Sequence, residues 1–395
     1  MPIGFRLATA SADFRNKTNG RIDLALAVSD MPALAAGVFT TNLYKAAPVL
    51  VARDRIQASL GQAKPWAVVI NTGQANACTG ELGLTDCLAS CEMVAPIAKL
   101  PAAQVLPGST GVIGARMNLD KWRAALPQLE ASLGQTSLED FARAIMTTDA
   151  FPKFAMREIA FADKIVRLAG VAKGAGMICP NMATMLSLVL CDGNLDADIW
   201  QAMFKRGVDA TFNRVSVDGD TSTNDTLIGL ANGASGVKIQ GNDLQNLEQA
   251  LLEVLHELAY MLVKDGEGAT KVIKIRVRGA ASNAAAEQIA RTVGHSQLVK
   301  TAMFGKDPNW GRIVAAAGRA GVDFPPEELR VKLCGIELFR NGQPADLDFD
   351  ALLREPLSGQ DIDLELDLGQ GEGFSELLAS DLSYEYVKIN SDYRS

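Results

Sequence analysis

Histidine is scarce in this sequence, with only two among 395 residues. His256 lies in a run whose apolar spacing predicts an amphipathic helix, and a structural histidine is the more common case there. His295 follows another helical stretch, where a partly charged imidazole suits the negative end of a helix. Few histidines are therefore available as the base of a Ser-His-Asp or Cys-His centre. This scarcity favours a nucleophile that uses a different base.

The sequence also lacks concentrated positive charge and long apolar runs. Lys and Arg number 38 against 46 Asp and Glu, a formal net charge of -8, so nucleic acid and anionic membranes are disfavoured as partners. No apolar run reaches the roughly 20 residues of a membrane span. The N-terminal residues have no apolar core of the signal-peptide kind. We therefore expect a cytoplasmic protein.

Metal and dinucleotide motifs are missing as well. Cys87 and Cys91 share one predicted helix face, but no cluster of histidines and cysteines lies near them in sequence, so no zinc site is expected. The acidic loop after Ser216 has the alternating aspartates of a calcium loop without the glycine and glutamate that an EF-hand needs. The glycines at 174 and 176 have no third partner for a dinucleotide fingerprint. We expect no metal and no organic cofactor.

Strand-like and helix-like stretches alternate along the chain. Strands are predicted at 22–28, 66–70, 185–191, 272–277, 329–333 and 362–368, and helices at 82–99, 119–130, 138–146, 195–210, 243–264 and 284–303. Apolar and charged residues alternate at 272–278 and 361–367, which indicates half-solvated, largely antiparallel strands. The residues alone thus predict a mixed α and β fold, with a lobe boundary near 279–283.

Thr184 is the hydroxyl residue that fits a nucleophile with an unusual base. It follows a segment with glycines and a proline and precedes the apolar run 185–191. Cleavage of the Ala183–Thr184 bond would release an α-amine, whose reference pKa of about 7.7 to 8.0 lets it accept a proton near neutral pH. On the Ala-Thr pair alone, an ordinary β-branched strand residue remains the more common case.

The run from Lys173 to Leu186 closely resembles the self-cleavage segment of ornithine acetyltransferases, the bifunctional glutamate N-acetyltransferases of arginine biosynthesis. Further segments fit that family in the same order along the chain: 71–80, 108–114, 145–149, 216–226, 265–271, 307–312 and 390–395. The resemblance therefore extends over most of the sequence and does not depend on one motif.

The resemblance implies an αββα sandwich of the self-processing N-terminal-threonine type, with a second α/β lobe at roughly 280–395. It implies cleavage between Ala183 and Thr184 into an α polypeptide, 1–183, and a β polypeptide, 184–395, which assemble as an α2β2 heterotetramer. The implied reaction is ping-pong acetyl transfer from N-acetylornithine to glutamate through acetyl-Thr184. Whether acetyl-CoA is also a donor stays open, because no separate motif for the coenzyme is visible.

The resemblance also implies roles for individual residues. Thr110 and Gly111 correspond to the oxyanion hole. The residues that correspond to substrate contacts are Thr147, Lys173, Thr184, Glu267, Asn390 and Ser395. Two positions depart from the family pattern: Cys179 stands where histidine or another polar residue is frequent, and Ser395 stands where threonine is common.

Alternatives and one structural expectation remain. A self-processing aminopeptidase or amidase would use the same nucleophile, with water resolving the acyl-enzyme. An amino-acid-binding protein would keep the pocket and stay uncleaved. Residues 383–389 alternate aromatic and β-branched side chains, which predicts a strand that would deliver Asn390 to the site.

Overall fold

The computed structural model describes residues 1–15, 20–161, 164–179 and 185–392. These residues form the strands β1 (Phe5–Ala10), β2 (Leu24–Ser29), β3 (Leu34–Phe39), β4 (Ala67–Gln74), β5 (Val105–Val112), β6 (Lys153–Phe161), β7 (Lys164–Lys173), β8 (Leu186–Cys191), β9 (Val215–Ser216), β10 (Thr226–Ala231), β11 (Val272–Ala280), β12 (Arg330–Leu333), β13 (Ile336–Arg340), β14 (Gln343–Pro344), β15 (Asp361–Asp367) and β16 (Gly373–Ser380). They also form the helices α1 (Ala47–Gln57), α2 (Gly80–Ala98), α3 (Leu119–Ser132), α4 (Leu138–Ala144), α5 (Ala197–Ala210), α6 (Asp243–Lys264), α7 (Asn283–Gly294), α8 (Gln297–Phe304), α9 (Trp310–Gly318), α10 (Phe349–Leu353) and α11 (Tyr384–Asp392).

The chain divides into two compact units. Among the described residues, unit 1 contains Met1–Asn213 and Asp220–Leu262, and unit 2 contains Arg214–Gly219 and residues 263–392. The second lobe expected at roughly 280–395 stays a prediction, and the longer segment of unit 2 begins earlier in the chain, at Val263. The division into 1–183 and 184–395 by cleavage stays a prediction.

Two sheets form the centre of unit 1. One has the strand order β1-β2-β4-β5 and the other β3-β10-β8-β7-β6. Val68 and Leu106 of the first sheet share one buried apolar cluster with Leu188 and Leu230 of the second. Since strand side chains alternate between faces, this shared cluster means that the sheets pack face to face.

Helices cover the outer face of each sheet in unit 1. Trp122 of α3 packs in a buried cluster with residues of the first sheet. On the second sheet, Trp200 of α5 donates its indole N–H to the Gly229 carbonyl at 3.2 Å. A Cβ at Gly170 would lie 2.8 Å from Val254 of α6. The layers run helix, sheet, sheet, helix, which confirms the predicted αββα sandwich.

Unit 2 is an α/β lobe around one sheet of order β14-β13-β12-β15-β11-β16-β9. Its apolar core joins strand residues such as Ile275 and Leu364 to Ile289 and Val293 of α7. Strands β11 and β15 alternate buried and more exposed residues as predicted. Most pairs here are antiparallel, but β11 runs parallel to β15 and antiparallel to β16.

Most predicted elements are present. The six predicted strands correspond to β2, β4, β8, β11, β12 and β15, and α6 has the predicted bounds 243–264. That helix is long but amphipathic. No helix in the described part of the chain has the length and the apolar character that crossing a bilayer requires.

The single helix predicted at 284–303 is wrong, because the chain forms two helices there. Helix α7 ends at Gly294 with His295 as its C-cap. Ser296 begins α8 by accepting a hydrogen bond from the Val299 N–H with its side chain. Glycine costs about 1 kcal/mol in a helix interior and serine is a favoured N-cap, so the local sequence favours a break. The expectation that His295 lies at a helix C-terminus is confirmed.

The strand predicted at 383–389 is also wrong, because the helix α11 begins at Tyr384 and contains the rest of this segment. Helical spacing brings Asn390 next to Tyr386, and the Asn390 Nδ2 donates to the Tyr386 carbonyl at 3.0 Å. Lys388 likewise pairs with Glu385 at 3.2 Å. Short aromatic and β-branched runs are ambiguous between strand and helix, so the pattern alone does not determine the conformation of this segment.

Candidate active site

Lys173 and Thr110 meet in unit 1, one from each sheet. Lys173 ends β7, and its Nζ donates to the Oγ1 of Thr110 in β5 at 3.0 Å. Because an ammonium group only donates, the Thr110 oxygen is the acceptor here, and its own O–H proton stays available to another acceptor. A hydroxyl polarised in this way suits the oxyanion role predicted for Thr110.

The electrostatic setting of Lys173 is mixed. Burial lowers the pKa of Lys173, and the charges of Lys153 and Arg15 lower it further, whereas the charge of Asp149 raises it. The side chain is only 8% exposed. A lysine in such surroundings gains from an added anion, such as the carboxylate of an amino acid.

Asp149 accepts hydrogen bonds from several groups near Lys173. Its Oδ1 accepts hydrogen bonds from the Gly174 N–H and the Lys153 Nζ, both at 2.7 Å, and its Oδ2 accepts from the Thr147 N–H at 2.7 Å. Burial alone would raise the pKa of Asp149, but the charges of Lys153 and Lys173 outweigh it and lower that pKa to about 2. An ionised Asp149 therefore joins the predicted contact positions 147 and 173 in one network.

Gly111 has a backbone requirement that explains its residue type. Its φ is +131°, and a Cβ there would lie 2.3 Å from the backbone carbon of Gly73. The two glycines face each other in the register of the parallel strands β4 and β5, next to the pair Thr72 and Thr110. The backbone shape at the predicted oxyanion pair thus depends on both glycines.

Asn224 fixes the loop before β10 to the first sheet. Its Nδ2 donates to the carbonyls of Ala75 at 2.6 Å and Ser109 at 2.8 Å. Ser109, which precedes Thr110, donates its own hydroxyl to Asn71 Oδ1 at 2.6 Å. Sequence reasoning did not select Asn224 or Asp149 as site residues, although both lie inside segments that carried the family resemblance.

Strand β8 lies between β7 and β10. Leu186 is in register with Lys173 on one side and with Thr226 on the other. The predicted cleavage residues Ala183 and Thr184 lie outside the described residues. Nearby, the Thr221 hydroxyl donates to the Cys179 carbonyl at 3.0 Å. The start of β8 therefore lies between Lys173, the last residue of β7, and Thr226, the first residue of β10.

Glu267 and Asn390 meet within unit 2. The Asn390 Nδ2 donates to Glu267 Oε2 at 2.9 Å, and Glu267 is 9% exposed. Close backbone approach holds α11 there, since a Cβ at Gly268 would lie 2.5 Å from the Tyr386 nitrogen. The predicted substrate contacts of Glu267 and Asn390 stay a prediction, and Ser395 lies outside the described residues.

The cysteines are free thiols, and most are buried. Cys87 and Cys91 share one face of α2 as predicted, and Arg55 Nη1 donates to the Cys91 sulfur at 3.1 Å. Hydrogen bonding with Cys87 and the charge of Arg55 lower the pKa of Cys91 to about 7, against the effect of burial. Within the described ranges, no group of three or more His, Cys, Asp or Glu side chains could hold a metal ion.

Comparison with known proteins gives matches over nearly the whole chain. The model of the ArgJ family matches residues 6–395. The arginine biosynthesis bifunctional protein ArgJ of Nitratidesulfovibrio vulgaris is 63% identical over 394 residues, covering 100% of this chain and 99% of that protein. The protein of the same name from a Synechococcus strain is 45% identical, covering 99% and 96%. The crystal structure of ArgJ from Bacillus halodurans is 32% identical, with a TM-score of 0.49, over 51% of this chain and 96% of that chain.

Proposed function

Because this chain belongs to the ArgJ family, we propose that it is an arginine-biosynthesis enzyme that transfers an acetyl group from N-acetylornithine to glutamate. The observation that carries this proposal in the site itself is the bond from Lys173 Nζ to Thr110 Oγ1 at 3.0 Å. It couples a buried cation, suited to an amino-acid carboxylate, with a hydroxyl suited to an acyl oxyanion.

The chemistry proceeds through an ester on Thr184. Its oxygen attacks the acetyl carbonyl while its freed α-amine takes the hydroxyl proton, and Thr110 and Gly111 donate to the oxyanion. The carbon–nitrogen bond then breaks, the amine returns the proton to the leaving nitrogen, and ornithine departs. Glutamate attacks the ester through its amino group and leaves as N-acetylglutamate. One preorganised oxyanion donor is typically worth about 10²- to 10³-fold in kcat.

Further groups would bind the amino-acid parts of the substrates. Glu267, with Asn390 donating to it at 2.9 Å, offers a carboxylate to an ammonium group, and Thr147 offers a hydroxyl beside Asp149. Ser395 would complete the set as a retained hydroxyl at the C-terminal position. No metal or organic cofactor takes part in the proposed reaction.

The proposal includes cleavage between Ala183 and Thr184, because the α-amine that serves as base exists only after that cut. It also includes an α2β2 assembly of the two fragments in the cytoplasm. N-terminal sequencing should yield Thr-Met-Leu from the fragment 184–395. Light scattering should give the mass of two complete chains for the assembly.

One assay tests the transfer. Cleaved protein incubated with N-acetylornithine and glutamate should produce N-acetylglutamate and ornithine in equal amounts, with the parallel initial-rate plots of a ping-pong route. A second incubation with acetyl-CoA and glutamate decides whether the coenzyme is also a donor.

Other outcomes would replace the proposal. Acetate formed in place of N-acetylglutamate would identify an amidase whose acyl-enzyme is resolved by water. An intact 42.0 kDa chain that binds substrate without turnover would identify a binding protein.

A further inference from the structure

Self-cleavage requires a proton acceptor other than the α-amine of Thr184. That amine is still part of a peptide bond when the Thr184 hydroxyl must first lose its proton. Of the two histidines, His256 lines an exposed cleft of α6 with Arg157 and Tyr260. The other, His295, is the C-cap of α7 in unit 2. Lys173, beside β8, is already engaged as a donor to Thr110. The inference below rests on the proposed function, because it concerns the step that creates the nucleophile.

Asp225 lies directly before β10, on the opposite side of β8 from Lys173. Leu186 pairs with Thr226, so Asp225 lies level with Met185. The Met185 N–H donates a hydrogen bond to the Asp225 carboxyl, and the Thr226 N–H donates to the Met185 carbonyl at 3.0 Å. The carboxyl is therefore held by the residue that is covalently bonded to Thr184.

Within the described part of the chain, one oxygen of the Asp225 carboxyl is unpaired. Asp225 is 2% exposed, and its Oδ2 is buried without a hydrogen-bond partner among the residues that the structure describes. An unpaired polar atom in such a position typically costs about 1 to 3 kcal/mol. Buried polar groups are paired as a rule, so an exception calls for an explanation such as a role in chemistry.

The surroundings of Asp225 also suit proton exchange. Burial raises the pKa of this carboxyl well above its ordinary value, and the Met185 N–H, the charge of Lys173 and hydrogen bonds from the Ser222 and Thr40 side chains offset only part of that rise. A carboxyl with a raised pKa is a stronger base when ionised than an ordinary aspartate. Lys173, on the far side of β8, is the charged side chain that acts on this carboxyl.

We propose that Asp225 carries the proton in the self-cleavage of the Ala183–Thr184 bond. Its ionised carboxylate takes the Thr184 hydroxyl proton as that oxygen attacks the Ala183 carbonyl. It gives the same proton to the amide nitrogen as the carbon–nitrogen bond breaks, which leaves an ester and a free α-amine. Water then hydrolyses the ester to the Ala183 carboxylic acid and the Thr184 hydroxyl. From that point the α-amine serves acetyl transfer and Asp225 is no longer needed.

The variant Asp225→Asn tests this proposal, since the amide keeps an acceptor for the Met185 N–H but cannot take a proton. Asp192→Asn is the matched control. Asp192 is equally buried and follows the other end of β8, and its oxygens accept from the Ile3 N–H at 2.9 Å and the Arg167 N–H at 2.7 Å. Conversion of the full-length chain into two fragments is followed on denaturing gels.

We expect Asp225→Asn to cleave at least about 100-fold more slowly, within the usual range for loss of a general base, and Asp192→Asn to cleave at a rate close to wild type. Asp225→Asn molecules that have cleaved after long incubation should transfer acetyl groups at nearly the wild-type rate. A folded Asp225→Asn chain that cleaves as fast as the control overturns the proposal.

Two further measurements separate the remaining cases. If Asp225→Asn does not fold, Asp225→Glu replaces it. That variant should cleave slowly at a rate that rises with pH, and a rate independent of pH between 5 and 8 would overturn the assignment. If wild-type protein cleaves but transfers no acetyl group, the proposed function fails, while the role of Asp225 is judged on cleavage alone.

Discussion

At the scale of single residues, Asp149 shows how a buried charge is maintained. Lys153 and Asp149 form an ion pair at 2.7 Å with both side chains fully buried. Removing one partner of such a pair typically costs about 3 to 5 kcal/mol, because the other charge is left uncompensated. Exposed pairs contribute about 0 to 1 kcal/mol.

We therefore predict that Asp149→Asn lowers the free energy of unfolding by about 3 kcal/mol or more. The control is Asp30→Asn, which breaks the exposed pair with Arg6 at 2.7 Å and should cost less than about 1 kcal/mol. Urea denaturation at pH 7.5 compares the two variants with wild type. Similar midpoints for both variants would show that Asp149 does not compensate Lys153.

Substitution shows whether Thr184, the proposed nucleophile, or the thiol of Cys179, five residues before it in the sequence, carries the reaction. Thr184→Ala should abolish both cleavage and transfer, because no hydroxyl remains to attack, whereas Thr184→Ser should cleave slowly and keep weak activity. Cys179→Ala should leave catalysis nearly unchanged. Gels and the transfer assay measure both effects. An active Thr184→Ala together with an inactive Cys179→Ala would reverse the assignment of the nucleophile.

Lys173 should matter for substrate use beyond its packing. Charge-assisted hydrogen bonds are worth about 1.5 to 3 kcal/mol, so Lys173→Met should lower kcat/KM by about 10- to 150-fold. Lys205→Met serves as control, since Lys205 pairs with Asp209 on an exposed face. Kinetics are measured on cleaved protein only, so that slow processing is not mistaken for weak binding. An unchanged kcat/KM in Lys173→Met would remove this lysine from the site.

At the scale of elements, α11 depends on contacts that local sequence does not specify. Its Asn390 reaches Glu267 at 2.9 Å, a carboxylate distant in the chain. The helix also needs Gly268, whose φ of +68° and close approach to Tyr386 exclude a Cβ. The resemblance placed Asn390 and Glu267 among the substrate contacts, and that role stays a prediction, whereas the strand predicted for residues 383–389 is wrong.

Deletion of residues 390–395 should leave a folded and cleaved protein with little transfer activity. The deletion removes the Asn390 donor to Glu267 and the terminal Ser395 predicted to contact substrate. Chain ends usually tolerate deletion, so this expectation opposes the default. Lys388→Ala, which alters an exposed position of the same helix, is the control and should keep activity. Full activity in the truncated protein would reduce the C-terminal residues to an ordinary chain end.

Strong periodicity was predictable, and long-range contacts were not. Helix α6 matches its predicted bounds because its apolar spacing is sustained over 22 residues. The break between α7 and α8 was not predicted, because only a glycine and a serine mark it within an otherwise helical pattern. Asp149 and Asp225 were not selected because nothing in the local sequence distinguishes a solvated aspartate from a buried one. Burial is a property of the folded chain.

At the scale of the whole molecule, acid stability should depend on His295. Burial lowers the pKa of His295 to about 4, and the charges of Arg291, Lys300 and Arg319 act in the same direction. In the unfolded chain a histidine has a pKa of about 6.5, so the unfolded state binds the proton more readily. The contribution of neutral His295 is therefore fully present above about pH 6.5 and is lost as the pH falls towards 4.

We predict that wild type loses about 2 kcal/mol of unfolding free energy through His295 between pH 7.5 and pH 5. His295→Gln cannot take up this proton, so its stability should fall by that much less over the same interval. His256→Gln, at an exposed position of α6, is the matched control and should keep the acid sensitivity of wild type. Urea midpoints and slopes at the two pH values give the measurement. Equal losses of unfolding free energy in wild type and His295→Gln would mean that other groups cause the acid sensitivity. If His295 causes it, the chain without a histidine at this position must lose less stability in acid.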